Sequence, residues 1–368
     1  MTALTALGAR LGAGPRTVTE AWHGPGRRDG AIAPIPASAN GAHPSDARTA
    51  FEHWYFDALL DDGHIVVAML QARELVTRRP GVELHVYSPD GRRREVVTRY
   101  TDADIDADAD RCRVRIGANT AEVEYRDGAP PVHHLRVAEG DLAFDLRFDG
   151  ELPGWMPGDG RTTYSRDGRD TGEFFAWVVG APRARVTGTV RIGDTTLTAH
   201  GTGYHDHNWG VGDMKRVIDR WYWGRLYTED YTLVYANVLT QKAYGAHWAT
   251  PLMLGRDGEV ILSSGEVTLR PGPERFDATA NRTYPETLRM TVPGSVDLLL
   301  EVQEIVHAHD FLADVPVVRT GPVKALANRV LGRPGYFRFR SRYTLTVTDG
   351  DREHVRTGTT LHEMVALK

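Results

Sequence analysis

The chain has 368 residues, 41% of them hydrophobic and 25% charged, with a net charge of −5. That length holds two domains or one large β protein, and the mildly acidic balance argues against nucleic acid as a partner. A lone cysteine, Cys112, excludes an internal disulfide and a cysteine-rich zinc site, and it suits a reducing compartment.

No apolar run approaches the roughly 18 residues of a spanning helix, so no stable membrane insertion is expected. The opening MTALTALGARLGAGPR lacks a basic region and Arg10 interrupts its apolar stretch, which points to a cytoplasmic chain rather than a secreted one. Residues 1–46 are rich in Gly, Ala, Pro and Ser without periodicity and are expected to form a flexible N-terminal arm. Beyond them the pattern is strand, turn, strand. FEHWYFDALL (Phe51 to Leu60) meets Asp61-Asp62-Gly63 and then Ile65, Val66, Val67, Met69 and Leu70. Val82, Leu84 and Val86 run into Ser88-Pro89-Asp90-Gly91; Leu142, Phe144, Leu146 and Phe148 alternate out of Glu139-Gly140-Asp141. The run TDADIDADAD lacks the glycine and closing glutamate of a calcium loop and fits a solvated strand edge.

The patterning restarts after Trp209. RWYWGRLY (Arg220 to Tyr227) and YTLVYANVL (Tyr231 to Leu239) pair around Thr228-Glu229-Asp230, and a last hairpin turns at Asp349-Gly350. A short helix is expected over Val323–Leu331, stopped by Gly332 and Pro334. The whole describes an all-β protein, with an N-terminal unit over 47–212 and a C-terminal one over 213–368. No phosphate loop, dinucleotide fingerprint or nucleophile elbow interrupts it, so no cofactor is expected.

The densest chemistry lies in GTGYHDHNWG, Gly201 to Gly210. On a strand, Tyr204, Asp206 and Asn208 share one face, and His205, His207 and Trp209 the other. Imidazoles two residues apart can bind one metal, but His247 and His307 are scattered candidates for further ligands, so no metal site is expected. Proton transfer needs less: a histidine oriented by a neighbour, with Tyr204 or a buried Asp206 as donor and Trp209 as an indole face. The alternative is a hydrogen-bonded seam tying strand ends together. A second cluster places Glu52, Trp54 and Phe56 on one face and His53, Tyr55 and Asp57 on the other; a carboxylate beside an indole would have a raised pKa and could donate a proton. A third places Tyr235 and Asn237 as sparse polar points on one face, with Val234, Ala236 and Val238 on the opposite one.

The run VTGTVRIGDTTLTAHGTGYHDHNWG, with Phe174-Phe175-Ala176-Trp177 upstream, resembles the hydroxyneurosporene synthase (carotenoid 1,2-hydratase) family, a group that also takes in fungal Diels–Alderase-type cyclases. Glu52-His53-Trp54-Tyr55 is similar to that family's first motif, Glu-Trp-Trp-Tyr. The resemblance implies two lipocalin-like β-barrel domains in tandem, a pocket in or between them, and cofactor-free chemistry on carbon–carbon double bonds of isoprenoid or polyene substrates. It places the family's catalytic His and Trp on His207 and Trp209, and its Tyr-x-Asp pair on Tyr235-Ala236-Asn237. Here the sequence departs, since Asn237 stands where the hydratases have an acid, and a carboxamide delivers no proton. Cyclisation or isomerisation of an apolar small molecule is therefore expected ahead of hydration, with a non-catalytic carrier as the rival. His207, Asp206, Tyr204 and Glu52 would act as acid, base or polarising groups. His205, Asn208, Trp54, Trp177, Trp209, Trp221 and Trp223 would hold the substrate, and Tyr235 and Asn237 would anchor it.

Overall fold

The computed structural model describes residues 16–30, 32, 34–75, 77–314, 328–329 and 332–368. Of the helix expected over Val323–Leu331, all but Asn328 and Arg329 lies outside these residues. Among them, no helix is long and apolar enough to cross a membrane.

Two antiparallel sheets dominate. A 13-stranded sheet is built between Arg16 and Val211, and a 10-stranded one between Ile218 and Ala366. The expected hairpins form where the alternation places them. Ala50–Leu60 pairs with Ile65–Arg73 across a turn at which Gly63 takes a φ of +89°, a conformation that disfavours any residue with a Cβ. Ile218–Tyr227 pairs with Tyr231–Thr240, and Gly335–Asp349 with Arg352–Ala366. The protein is all-β, with two curled sheets in tandem. The acidic run becomes a short turn and an edge strand, Ile105–Ala107, with Asp106 and Asp108 both reaching Arg113.

Each sheet wraps its own core. Leu84, Val114, Leu135 and Phe144, from strands far apart in the first sheet, meet in one apolar cluster. Leu233, Leu298, Phe337 and Leu345 do the same in the second. A third cluster, with Val179 and Tyr204 from the first sheet, Trp155 bridged to Val179, and Val234 and Met253 from the second, fills the seam between them. Within the stretch expected as an arm, Arg16–Glu20 adds a strand beside Arg161–Arg166, Arg28 bridges to Ser264 of the second sheet, and a 3-10 turn at Ala37–Asn40 buries Asn40.

The seam is also ionic. Arg225 of the second sheet is buried against Asp57 of the first, and Tyr55 donates to the same carboxylate at 2.9 Å. Arg338, buried in the second sheet, pairs with Glu363 and donates to the Tyr55 hydroxyl at 3.2 Å. Removing one partner of such a pair strands a charge in a medium that cannot solvate it. Asp57→Ala is therefore expected to lower the unfolding free energy by about 3–5 kcal/mol, measured by urea denaturation, with most of the loss recovered when Arg225→Met is added.

Candidate active site

The central strand, Thr195–Val211, lies between Ala50–Leu60 on one side and Arg169–Ile192 on the other. Asp206 stands opposite Tyr55 and Val179, and Asn208 opposite His53 and Trp177. Directly opposed residues in an antiparallel pair project to the same face. His53, Tyr55, Trp177, Asp206 and Asn208 therefore form one wall. Trp221, Trp223, Ala236, Val238 and Glu363 of the second sheet face it, and together they enclose a cavity of about 280 Å³. Glu20 to Trp22 line another side. The walls are largely apolar, with Phe51, Tyr164 and Phe175 adding aromatic surface beside the indoles.

Asp206 is the best-held polar group in that wall. Its carboxylate accepts from Trp177 Nε1 at 3.0 Å, Tyr204 Oη at 2.9 Å and Asn208 Nδ2 at 2.9 Å. Burial outweighs these donors and pushes its pKa up to about 7, with Asp57 adding to the rise. Tyr204 is pushed well above the usual phenol range by burial and by Asp206, so its hydroxyl orients the carboxyl rather than losing its own proton. His53 is driven down to about 4, first by burial and then by the nearby His207, which leaves a neutral imidazole in the cavity wall. On the far side, Glu363 accepts from Arg338 Nε at 3.0 Å and from Tyr336 Oη at 2.8 Å.

The other face of the central strand looks away from the cavity. His207 is fully buried, stacked on Trp54 at 4.5 Å and lying 4.9 Å from Trp209. Its Nε2 is 3.0 Å from Glu52 Oε1. His205 packs on Phe56 at 4.0 Å and meets the Asn40 side chain. Trp54 donates to the Asn40 carbonyl, and Trp209 stacks on His43 at 3.8 Å. So His205, His207, Trp209, Glu52 and Trp54 do not line the cavity; strand parity turns them toward the first core and the residues 37–43 that cover it. Glu52 also departs from the raised pKa expected of it. Burial does raise it, but the His207 ring, the nearby His43 imidazole and a hydrogen bond from the His43 backbone N–H at 2.7 Å prevail and hold it at about 2.

Tyr235 and Asn237 face the interior of the second sheet, where Asn237 Nδ2 lies 3.1 Å from Met290 Sδ. The cavity receives Ala236 and Val238 from the same strand instead. Of the expected site residues, Asp206, Asn208, Trp177, Trp221 and Trp223 come together on the cavity, with Tyr204 bonded to Asp206 just behind the surface. Sequence reasoning groups His53 and Tyr55 on one face without giving them a site role, and it does not single out Glu363. The first two share the Asp57 face of an aromatic strand, and the register against Asp206 would have assigned them. Glu363 carries no local signal.

A family model described as AttH-like matches residues 88–317. A hydroxyneurosporene dehydrogenase of Chlorobaculum tepidum is 42% identical over 187 residues, covering 49% of this chain and 42% of that protein. A quinolone epoxide rearrangement protein, asqO, of Emericella nidulans is 33% identical over 109 residues, covering 28% of each. The chain thus spans less than half the length of these curated relatives. Among solved structures, a putative AttH from Nitrosomonas europaea superposes with a TM-score of 0.62 at 14% identity, covering 92% of this chain and 98% of that one. CghA with Sch210972 also gives 0.62, at 15% identity over 96% and 99%. Both share the fold described above. With the family model matching more than half of its length, the chain belongs to the AttH-like family.

Proposed function

We propose that this protein is an enzyme that folds an unsaturated, largely apolar natural-product precursor inside the aromatic cavity and cyclises or rearranges it with Asp206 as the acid. The observation that carries this reading is a carboxyl group set in an indole-rich wall and gripped by Trp177, Tyr204 and Asn208. Its proton passes to a double bond, carbonyl or epoxide oxygen of the substrate. The carboxylate left behind keeps three hydrogen-bond donors, so charge develops where the site is already arranged to meet it. Positive charge on the substrate faces Trp177, Trp221 and Trp223, whose π faces attract a cation. The proton that leaves the product returns to the Asp206 carboxylate, a stronger base than the neutral His53 in the same wall, and so restores the acid. The tight apolar lining holds a flexible chain in a folded conformation, which supplies the entropic part of the rate.

Two relatives lend support through their names, one a hydroxyneurosporene dehydrogenase and one a quinolone epoxide rearrangement protein. The acid missing at Asn237 no longer weighs against water addition, because Asn237 faces the other core and Asp206 supplies a proton. The cavity's aromatic lining favours an intramolecular partner over water.

Purified protein incubated with polyene, prenylated and epoxidised isoprenoid probes is expected to yield products isomeric with the probe. Asp206→Asn should lower that turnover by about 10²-fold or more, while Trp223→Ala mainly weakens probe binding. Probe released unchanged would make the protein a carrier, and a product heavier by one water would make it a hydratase. A second test needs no substrate. A carboxyl whose pKa rises from 3.8 unfolded to about 7 folded favours folding below the lower value and loses that contribution as pH rises through the upper one. Chelator-treated wild type should therefore lose stability relative to Asp206→Asn between about pH 5 and about pH 8. A flat difference in urea midpoints across that range would mean Asp206 is already ionised and cannot be the acid.

A further inference from the structure

On the face of the central strand turned away from the cavity, His43 Nδ1, Glu52 Oε1 and His207 Nε2 converge, all within 4.8 Å of one another. His207 Nε2 is 3.0 Å and His43 Nδ1 3.6 Å from that carboxylate oxygen. The other ring nitrogen of His207, Nδ1, lies 3.3 Å from the Ala39 carbonyl oxygen. Both nitrogens of one buried imidazole thus face acceptors, and a neutral imidazole has a single N–H. With the proton on Nδ1, a bare lone pair on Nε2 points at a carboxylate; with it on Nε2, a lone pair on Nδ1 points at a carbonyl. His43 Nδ1, aimed at the same carboxylate, has no hydrogen-bond partner among the described residues.

A cation resolves all three contacts at once. Nδ1–H of His207 donates to Ala39, which fixes the tautomer, and Nε2 is left as a ligand, an arrangement common behind metal-bound histidines. Bond lengths of about 2.0–2.2 Å in a tetrahedral zinc site put neighbouring ligand atoms ~3.4 Å apart, between the two separations seen here. The rings are held in place by stacking, His207 on Trp54 at an interplanar angle of 4° and His43 on Trp209 at 9°. The His43 ring is partly exposed while its Nδ1 is buried, so the site lies just beneath the surface. Two imidazoles with one carboxylate suit Zn²⁺ or a neighbouring late divalent ion.

We propose that His43, Glu52 and His207 form a divalent-metal site that clamps residues 37–43 onto the first sheet. It lies on the opposite strand face from Asp206, so it stands or falls separately from the proposed chemistry. The full chain, dialysed against chelator, is titrated with ZnCl₂ by calorimetry and with CoCl₂ by visible absorption. One equivalent of Zn²⁺ should bind with micromolar affinity or better and raise the melting temperature, and Co²⁺ should show the intense bands of a four- or five-coordinate site. His43→Ala, at a partly exposed position, should weaken Zn²⁺ binding by about tenfold or more while leaving the metal-free melting temperature near wild type. Glu83→Gln, at a second, partly buried carboxylate–histidine group, should change nothing. Absence of saturable binding would leave a buried hydrogen-bonded histidine–carboxylate pair and overturn the proposal. Binding that survives His43→Ala, or that Glu83→Gln abolishes, would overturn it as well.

Discussion

Successive side chains of an extended strand point to opposite faces, and this geometric rule organises the molecule around residues 204–209. Six chemically capable side chains stand in a row, yet no single space can receive them all. The rule divides them. Tyr204, Asp206 and Asn208 go to the seam between the sheets, while His205, His207 and Trp209 go to the interior of the first sheet and the segment that covers it. Each set then meets different partners and acquires different chemistry.

In the seam, Asp206 is buried among apolar groups, and that burial favours the protonated acid against the pull of three neutral donors toward the carboxylate. On the other face, Glu52 receives hydrogen bonds from two histidines and stays ionised even though it is nearly as buried. Two carboxyl groups on adjacent strands are thereby driven in opposite directions by their neighbours. The difference follows from what surrounds each group, since both are removed from water.

The cavity exists because two sheets meet without filling the space between them. The contact is pinned by Arg225 on Asp57 and by Arg338 reaching Tyr55, and the apolar cluster around Trp155, Tyr204 and Met253 packs beside these pairs. Tyr55 belongs to both the pinning network and the cavity wall, so the placement of the second sheet and the shape of the pocket are coupled through one side chain.

By itself the sequence determined the strands, most of their turns and the face on which each residue lies. These depend on periods of two and on turn residues such as Gly63, which are local properties. The alternation of Tyr204 to Trp209 and of Glu52 to Asp57 could be read directly. Which face of each strand would look onto open space was decided only by the tertiary structure. The central strand is buried on both sides, so its composition offers no contrast between core and cavity, and the polar Tyr235–Asn237 face proved to belong to a packed interior while plain Ala236 and Val238 line the pocket. Glu363 and His43 reached their places from opposite ends of the chain, through strand pairing and segment docking over distances that no local pattern records.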